Sequence, residues 1–318
     1  MLKRLSLLLV VGVFAAAMIS YLAAGWGLEP LDDQARAKAP GAFLETSQGK
    51  IHYQWYGDEG APIVVMAHGL AIPSFVFEQN AQALAEAGFR VLTFDHLGRG
   101  WSDRPDATYD DSFYQREMLE LMDGLRLQEP VGLVGQSMGG LIASDFAANH
   151  SERIQSLFLL VPSGLDVRAE GNSLSSRLIK TPVLGDWIMR VFGRRVILGQ
   201  PQFQNQAPNP QNRLQGDMAE QLRYEGFLDA ILSTYRNIDF QDREEVYQKL
   251  DGTDIPVAAV FGSADPTVLP SSLAKLKGFV PRAETTMIER GTHGLNYENS
   301  SQVNRVLVEF FQAQLGRE

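Results

Sequence analysis

Five histidines and no cysteine limit the nucleophilic chemistry open to this chain. There is no thiolate nucleophile, no disulfide framework and no cysteine-ligated metal site. One serine stands out. Ser137 lies in Val131-Gly132-Leu133-Val134-Gly135-Gln136-Ser137-Met138-Gly139-Gly140, where a short apolar run reads as a buried strand and Met138 onward reads as a helix. The turn between them holds Ser137. Glycines two residues to either side let strand and helix approach closely enough to point a strained serine outward. The five-residue pattern is weak alone, and a bland reading makes Ser137 a helix N-cap. The strand and helix that flank it carry the argument.

A serine hydroxyl needs a base, usually histidine. His52, His68 and His96 precede Ser137 on early strands or turns. His150 sits about 20 Å along the helix that starts beside Ser137, at the wrong end. That leaves His293, in Arg290-Gly291-Thr292-His293-Gly294-Leu295-Asn296, after the last apolar run and before the final helical pattern. The base in turn needs an acid to hold its tautomer. Asp265 directly follows Val257-Ala258-Ala259-Val260-Phe261-Gly262 in a tight turn, and Asp166, a few residues past the preceding strand, is its competitor. Oxyanion donors are expected at the Met138 amide, just after the nucleophile, and at the Leu70 amide, in the loop after Ile63-Val64-Val65-Met66-Ala67. In that loop His68 reads as a structural hydrogen-bonder.

These residues need a frame to bring them together. Apolar runs at 43–46, 51–55, 63–67, 91–95, 131–134, 157–161, 257–261 and 285–288 read as strands. Helical spacing falls at 76–87, 112–125, 138–149, 271–277 and 301–315. This alternation predicts a mostly parallel sheet with functional residues at the strands' carboxyl ends. Between Val161 and Val257 the rhythm breaks into amphipathic stretches at 174–179, 187–197 and 218–232, expected to form a cap over those ends. The predicted division is a core at 42–165 and 251–318 with a helical cap at 166–250.

The amino terminus is of another kind. Lys3 and Arg4 precede residues 5–24, which carry no charge and match the roughly 20 apolar residues of a membrane-spanning helix. Glu29, Asp32 and Asp33 follow, so the positive-inside rule puts the amino terminus in the cytoplasm and the catalytic part on the periplasmic or extracellular side. A cleaved signal peptide is the rival, since Ala15-Ala16-Ala17 offers a cleavage site; an uncleaved anchor over 1–28 is preferred, with 29–41 as a spacer. A formal charge of -10 without a basic cluster argues against nucleic acid as a partner.

His68-Gly69-Leu70, Asp95-His96-Leu97-Gly98-Arg99-Gly100-Trp101-Ser102, Gly135-Gln136-Ser137-Met138-Gly139, Gly262-Ser263-Ala264-Asp265, and His293 with Glu298 five residues on together resemble the α/β-hydrolase fold family over about residues 43–315. The resemblance implies an eight-stranded, mostly parallel sheet flanked by helices with an inserted cap. It also implies the Ser, Asp, His chain order and a structural turn at 95–102. Thr292 stands where glycine is usual and Asn299-Ser300 where proline is common.

Serine at position 137, not aspartate, points to acyl transfer through a covalent ester, with no cofactor or metal required. The expected activity is hydrolysis of short-to-medium-chain or monoacylglycerol-like esters. Trp187 and Ile188 of the cap, with Leu295, are the expected apolar pocket, although the same residues could merely pack the cap onto the core. Carbon-carbon hydrolysis of ring-cleavage products, with the family's usual tryptophan after the histidine replaced by Gly294, stands second. Cofactor-free peroxidase-like chemistry is third, and a ligand-sensing, non-enzymatic role is the remaining alternative.

Overall fold

The computed structural model describes residues 2–168, 174–199 and 214–315. Eight strands, β1 (Ala42–Thr46), β2 (Gly49–Tyr56), β3 (Ile63–Ala67), β4 (Arg90–Phe94), β5 (Val131–Gln136), β6 (Ile154–Leu160), β7 (Val257–Gly262) and β8 (Glu284–Ile288), form one sheet. Its order is β1-β2-β4-β3-β5-β6-β7-β8. Only the β1–β2 and β2–β4 pairings are antiparallel. Every residue of β5 and β7 is buried, which follows from helices covering both faces and explains their unbroken apolar runs.

The strand order reverses between β3 and β5, because the chain steps outward from β3 to β4 and then crosses back to β5. At such a reversal the loops after the two strands diverge to opposite faces and leave a crevice at their carboxyl ends. The loop after β3 begins at His68, and the turn after β5 holds Ser137.

The cap interrupts the chain between β6 and β7. Its described helices are Leu174–Lys180, Leu184–Leu198, Leu214–Gln221 and Phe227–Asn237. Ile197, Leu214, Met218, Leu222, Phe227 and Ile231 form a cluster of their own, against which Leu70, Ile72 and Phe75 of the core pack. The single amphipathic stretch expected at 218–232 is two helices. They break where Glu29 exchanges backbone hydrogen bonds with residues 223 and 225 (both 2.9 Å), and Gly226, at φ 79°, restarts the helix. A further helix, Glu244–Asp251, falls within the expected cap range, yet its Val246, Tyr247 and Leu250 lie in the main core. The helical excursion over the sheet thus ends before residue 244.

The helix Leu2–Gly25 stands off the domain at its start and packs against the cap helix Leu184–Leu198 toward its end. The segment 29–41, expected to be a spacer, is docked. Asp32 caps the short helix Asp33–Arg36, Arg36 is buried and pairs with Asp103 while donating to the Trp101 carbonyl (3.0 Å), and the Pro40 carbonyl meets His52 Nε2. Apolar content misses this because the ties are polar.

Candidate active site

Ser137 sits at φ 54° and ψ -117° between β5 and the helix Met138–Asn149. A non-glycine residue there is strained, and the surroundings must hold it. Its N–H donates to the Leu160 carbonyl (2.9 Å), and its carbonyl accepts from Gly140 (2.9 Å) and Ser163 (3.0 Å). The flanking glycines are steric requirements. A Cβ on Gly135 would lie 2.4 Å from the Gly139 carbonyl oxygen, and one on Gly139 would lie 2.2 Å from that of Ala67.

His293 follows β8 and reaches the same rim. Its Nε2 lies 2.9 Å from Ser137 Oγ and its Nδ1 2.8 Å from Asp265 Oδ2. Asp265 follows β7; its other oxygen accepts the amides of Thr267 (2.7 Å) and Val268 (3.0 Å), and its side chain is fully buried. An ionised carboxylate only accepts, so Nδ1 carries the proton and the Nε2 lone pair faces the serine hydroxyl. Asp166, the competitor, is engaged elsewhere, bonded to Ser271 and Ser272 at the start of the helix Ser272–Phe279. His150 lies at the far end of the helix Met138–Asn149, beside Glu152.

Of the two amides expected as oxyanion donors, that of Met138 directly follows the serine and that of Leu70 follows Gly69, where a Cβ would lie 3.3 Å from Ser137 Cβ. Neither donates to an acceptor among the described residues. The Leu70 amide is aimed by its neighbours. His68 Nε2 accepts the His96 amide (2.9 Å), so Nδ1 bears the hydrogen and donates to the Gly69 carbonyl (2.7 Å). In a trans peptide the carbonyl of Gly69 and the N–H of Leu70 point in opposite directions, so binding the first turns the second away from His68. Arg99 Nε then holds the Leu70 carbonyl (3.0 Å). The peptides before and after Leu70 are both pinned.

Behind this loop lies a buried polar layer that sequence reasoning did not resolve. Burial, with Arg99 nearby, pushes His96 down to about 3, and burial pushes Glu117, bonded to His96, up to about 8. Burial and the neighbouring His96 hold His68 well below its usual range, so it is neutral. Burial works against ionisation of Asp95, but His52 at 2.7 Å and Ser74 outweigh it and keep the carboxyl depressed. Arg99, wholly buried, also donates to Tyr114 Oη (2.8 Å) and to Thr234 Oγ1 (2.7 Å) on the cap helix Phe227–Asn237. The turn 95–102 therefore ties the oxyanion loop to the cap.

None of the three residues expected to form the pocket lines the cavity beside His293. Trp187 turns from the site and donates through Nε1 to the Ala17 carbonyl and Ser20 Oγ (both 3.0 Å). Leu295 is fully buried in the main core. Ile188, half-buried on the helix of Trp187, does not line the cavity beside His293. That cavity, about 30 Å³, is walled by Ile72, Val76, Gln136, Leu214, Asn296 and Tyr297 among others. It adjoins, through Leu214 and Tyr297, a wider polar groove of about 630 Å³. Gln136 was legible as the residue before the serine; Asn296, bonded to the Val76 carbonyl (3.1 Å), carried no signal in the sequence.

Comparison with known proteins agrees with this architecture. Residues 62–300 match the model of the α/β hydrolase fold family. A putative non-heme chloroperoxidase of Synechocystis is 28% identical over 278 residues, 82% of this chain and 95% of that protein. An uncharacterized carboxylesterase of Bacillus subtilis is 25% identical over 280 residues, 86% of this chain and 87% of that protein. Among solved structures, a membrane phospholipase A superposes with a TM-score of 0.68 at 20% identity, covering 98% of this chain and 97% of that one. The chain belongs to the α/β-hydrolase family.

Proposed function

We propose that this α/β hydrolase is a serine carboxylic ester hydrolase, held at a membrane by its N-terminal helix and acting on amphipathic esters of short to medium chain or monoacylglycerol type. The observation that carries the reading is the unbroken relay from Asp265 through His293 to Ser137 Oγ, at 2.8 and 2.9 Å. As Ser137 Oγ bonds to the ester carbonyl carbon, His293 Nε2 takes its proton, and the negative oxygen develops between the Leu70 and Met138 amides. The proton passes to the departing alcohol as the carbon-oxygen bond breaks. Water then attacks the acyl-enzyme, gives a proton to His293, and releases the acid while Ser137 recovers its hydrogen. In this reading no cofactor takes part.

The anchor reading rests on the apolar span Ser6–Gly25, with mean hydropathy 2.4, and on the cations before it, which favour placing the catalytic domain on the non-cytoplasmic side. A second reading is favoured by the chloroperoxidase likeness: hydrogen peroxide replaces water at the acyl-enzyme and leaves as a peracid. The test uses a fluorophosphonate probe and a chain-length series of p-nitrophenyl esters. Labelling and turnover are expected in the wild type and lost, by about 10⁴-fold or more in turnover, in Ser137→Ala and His293→Ala. Near-normal ester turnover in His293→Ala would sink the base assignment. Peracid formation that outruns acid release, with peroxide and water at equal activity, would favour the second reading.

A further inference from the structure

The N-terminal helix and the cap are in contact in a way that fixes where the cap sits. Along the cap helix Leu184–Leu198, Trp187 Nε1 binds the Ala17 carbonyl and Ser20 Oγ, and Arg190 binds the Tyr21 carbonyl (3.3 Å) with its guanidinium 4.7 Å from the Tyr21 ring centre. Later cap residues meet later residues of the N-terminal helix, so the two run side by side in the same direction. Ala17 lies eight residues inside the end of the span Ser6–Gly25, about 12 Å at 1.5 Å per residue. Sliding the helix until Ala17 reached the edge of the hydrocarbon would leave only residues 5–17 within it, about 20 Å against the roughly 30 Å of a bilayer core. The start of the cap helix must then enter the same leaflet.

The surface at that end suits lipid. Val183 is 82% exposed, Leu184 40% and Leu178 37%, with Leu174 (73%) on the preceding helix. Val183 stands at φ 65°, where a β-branched side chain is a rare outlier, and this strain holds an apolar group outward. Three polar groups near the tip are already engaged, while Arg177 is exposed. The Val183 N–H donates to Asp186 (2.7 Å), Asp186 pairs with Arg236 (2.8 Å), and Lys180 Nζ lies 5.1 Å from the Tyr235 ring centre. Tyr21, Trp187 and the 91% exposed Trp26 fall where interfacial aromatics belong, and Arg190, Arg194 and Arg195 lie within reach of phosphates.

We infer that the tip of the cap, residues 178–184, is seated in the lipid leaflet on the side of the catalytic domain, so that the cap rests on the bilayer. The inference depends on the anchor reading above. The interfacial geometry is that of a partly immersed amphipathic helix.

The absence of cysteine makes the test direct. Full-length single-cysteine variants Phe14→Cys, Val183→Cys and Glu152→Cys, the last at the amino end of β6 away from the cap, carry a bimane label in vesicles of phosphatidylcholine and phosphatidylglycerol. Doxyl quenchers are placed either near the headgroup or near the chain end. The expected result is about two-fold or greater quenching of both Val183→Cys and Phe14→Cys, which the register of Trp187 against Ala17 and Ser20 sets at similar depth, and little change in Glu152→Cys. Quenching of Phe14→Cys without Val183→Cys would overturn the inference and leave the anchor standing. Quenching of neither would overturn both.

Discussion

Asp265 accepts two amides through Oδ1 and the His293 ring through Oδ2, and that division predicts the effect of an amide in its place. In Asp265→Asn the amide oxygen keeps the Thr267 and Val268 bonds while the NH₂ faces His293, which forces Nδ1 to accept and puts the proton on Nε2. Turnover should fall about 10³- to 10⁴-fold with little change in KM, whereas Asp166→Asn should leave it near normal; equal losses would contradict the assignment. Glu117 offers a prediction in stability. Its folded value of about 8 exceeds the usual 4.5, so the fold retains a proton that the unfolded chain releases, and stability falls as pH rises between those values. His96, at about 3 against 6.5, acts oppositely, with stability rising between 3 and 6.5. The two nearly offset between 4.5 and 6.5, which leaves a net loss from 6.5 to 8 of about 2 kcal/mol. Glu117→Gln should remove that loss relative to wild type in urea melts across pH, and an unchanged slope would refute a protonated Glu117. Ser137, Asp265 and His293 were legible because each follows an apolar strand; the buried pairing of Glu117 and His96 was not, because it joins a helix to a turn through contacts with no sequence spacing.

At the level of elements, central strands such as β5 and β7 were readable from their apolar runs, since burial on both faces leaves little polar content. Tertiary partners decided the rest. The break at Gly226 answers to Glu29, and the helix Glu244–Asp251 is short and strongly charged at its start, so its three core contacts barely mark its pattern. Arg99 shows what joins these parts: one buried guanidinium bonds the Leu70 carbonyl, Tyr114 and Thr234. Thr234→Val keeps the shape but leaves a buried N–H without its acceptor, a cost of about 1–3 kcal/mol. Because Arg99 also pins Leu70, turnover should fall about three- to ten-fold at nearly constant KM, and Thr234→Ser should restore it. A loss of thermal stability with unaltered turnover would reduce Arg99 to a structural tie.

At the scale of the whole molecule, hydropathy marked residues 1–28 as separate but set the next boundary too late. The segment 29–41 reads as polar and proline-containing, yet it is fastened by Glu29 to Arg223 (2.6 Å), by Arg36 to Asp103 and the Trp101 carbonyl, and by the Pro40 carbonyl to His52. Two truncations therefore differ. Removing residues 1–28 takes away the acceptors of Trp187 and Arg190, both only partly buried and able to turn to water. That form should fold and hydrolyse a water-soluble butyrate ester within about three-fold of the full chain, since losses at solvated sites are small. Removing residues 1–41 strips the Pro40 carbonyl from the buried His52, at about 1–3 kcal/mol for an unsatisfied buried group, and takes away the docked helix Asp33–Arg36. Its melting temperature should fall by roughly 5–10 °C below that of the shorter truncation. Calorimetry of the two forms decides the point, and equal melting temperatures would return 29–41 to the status of a tether.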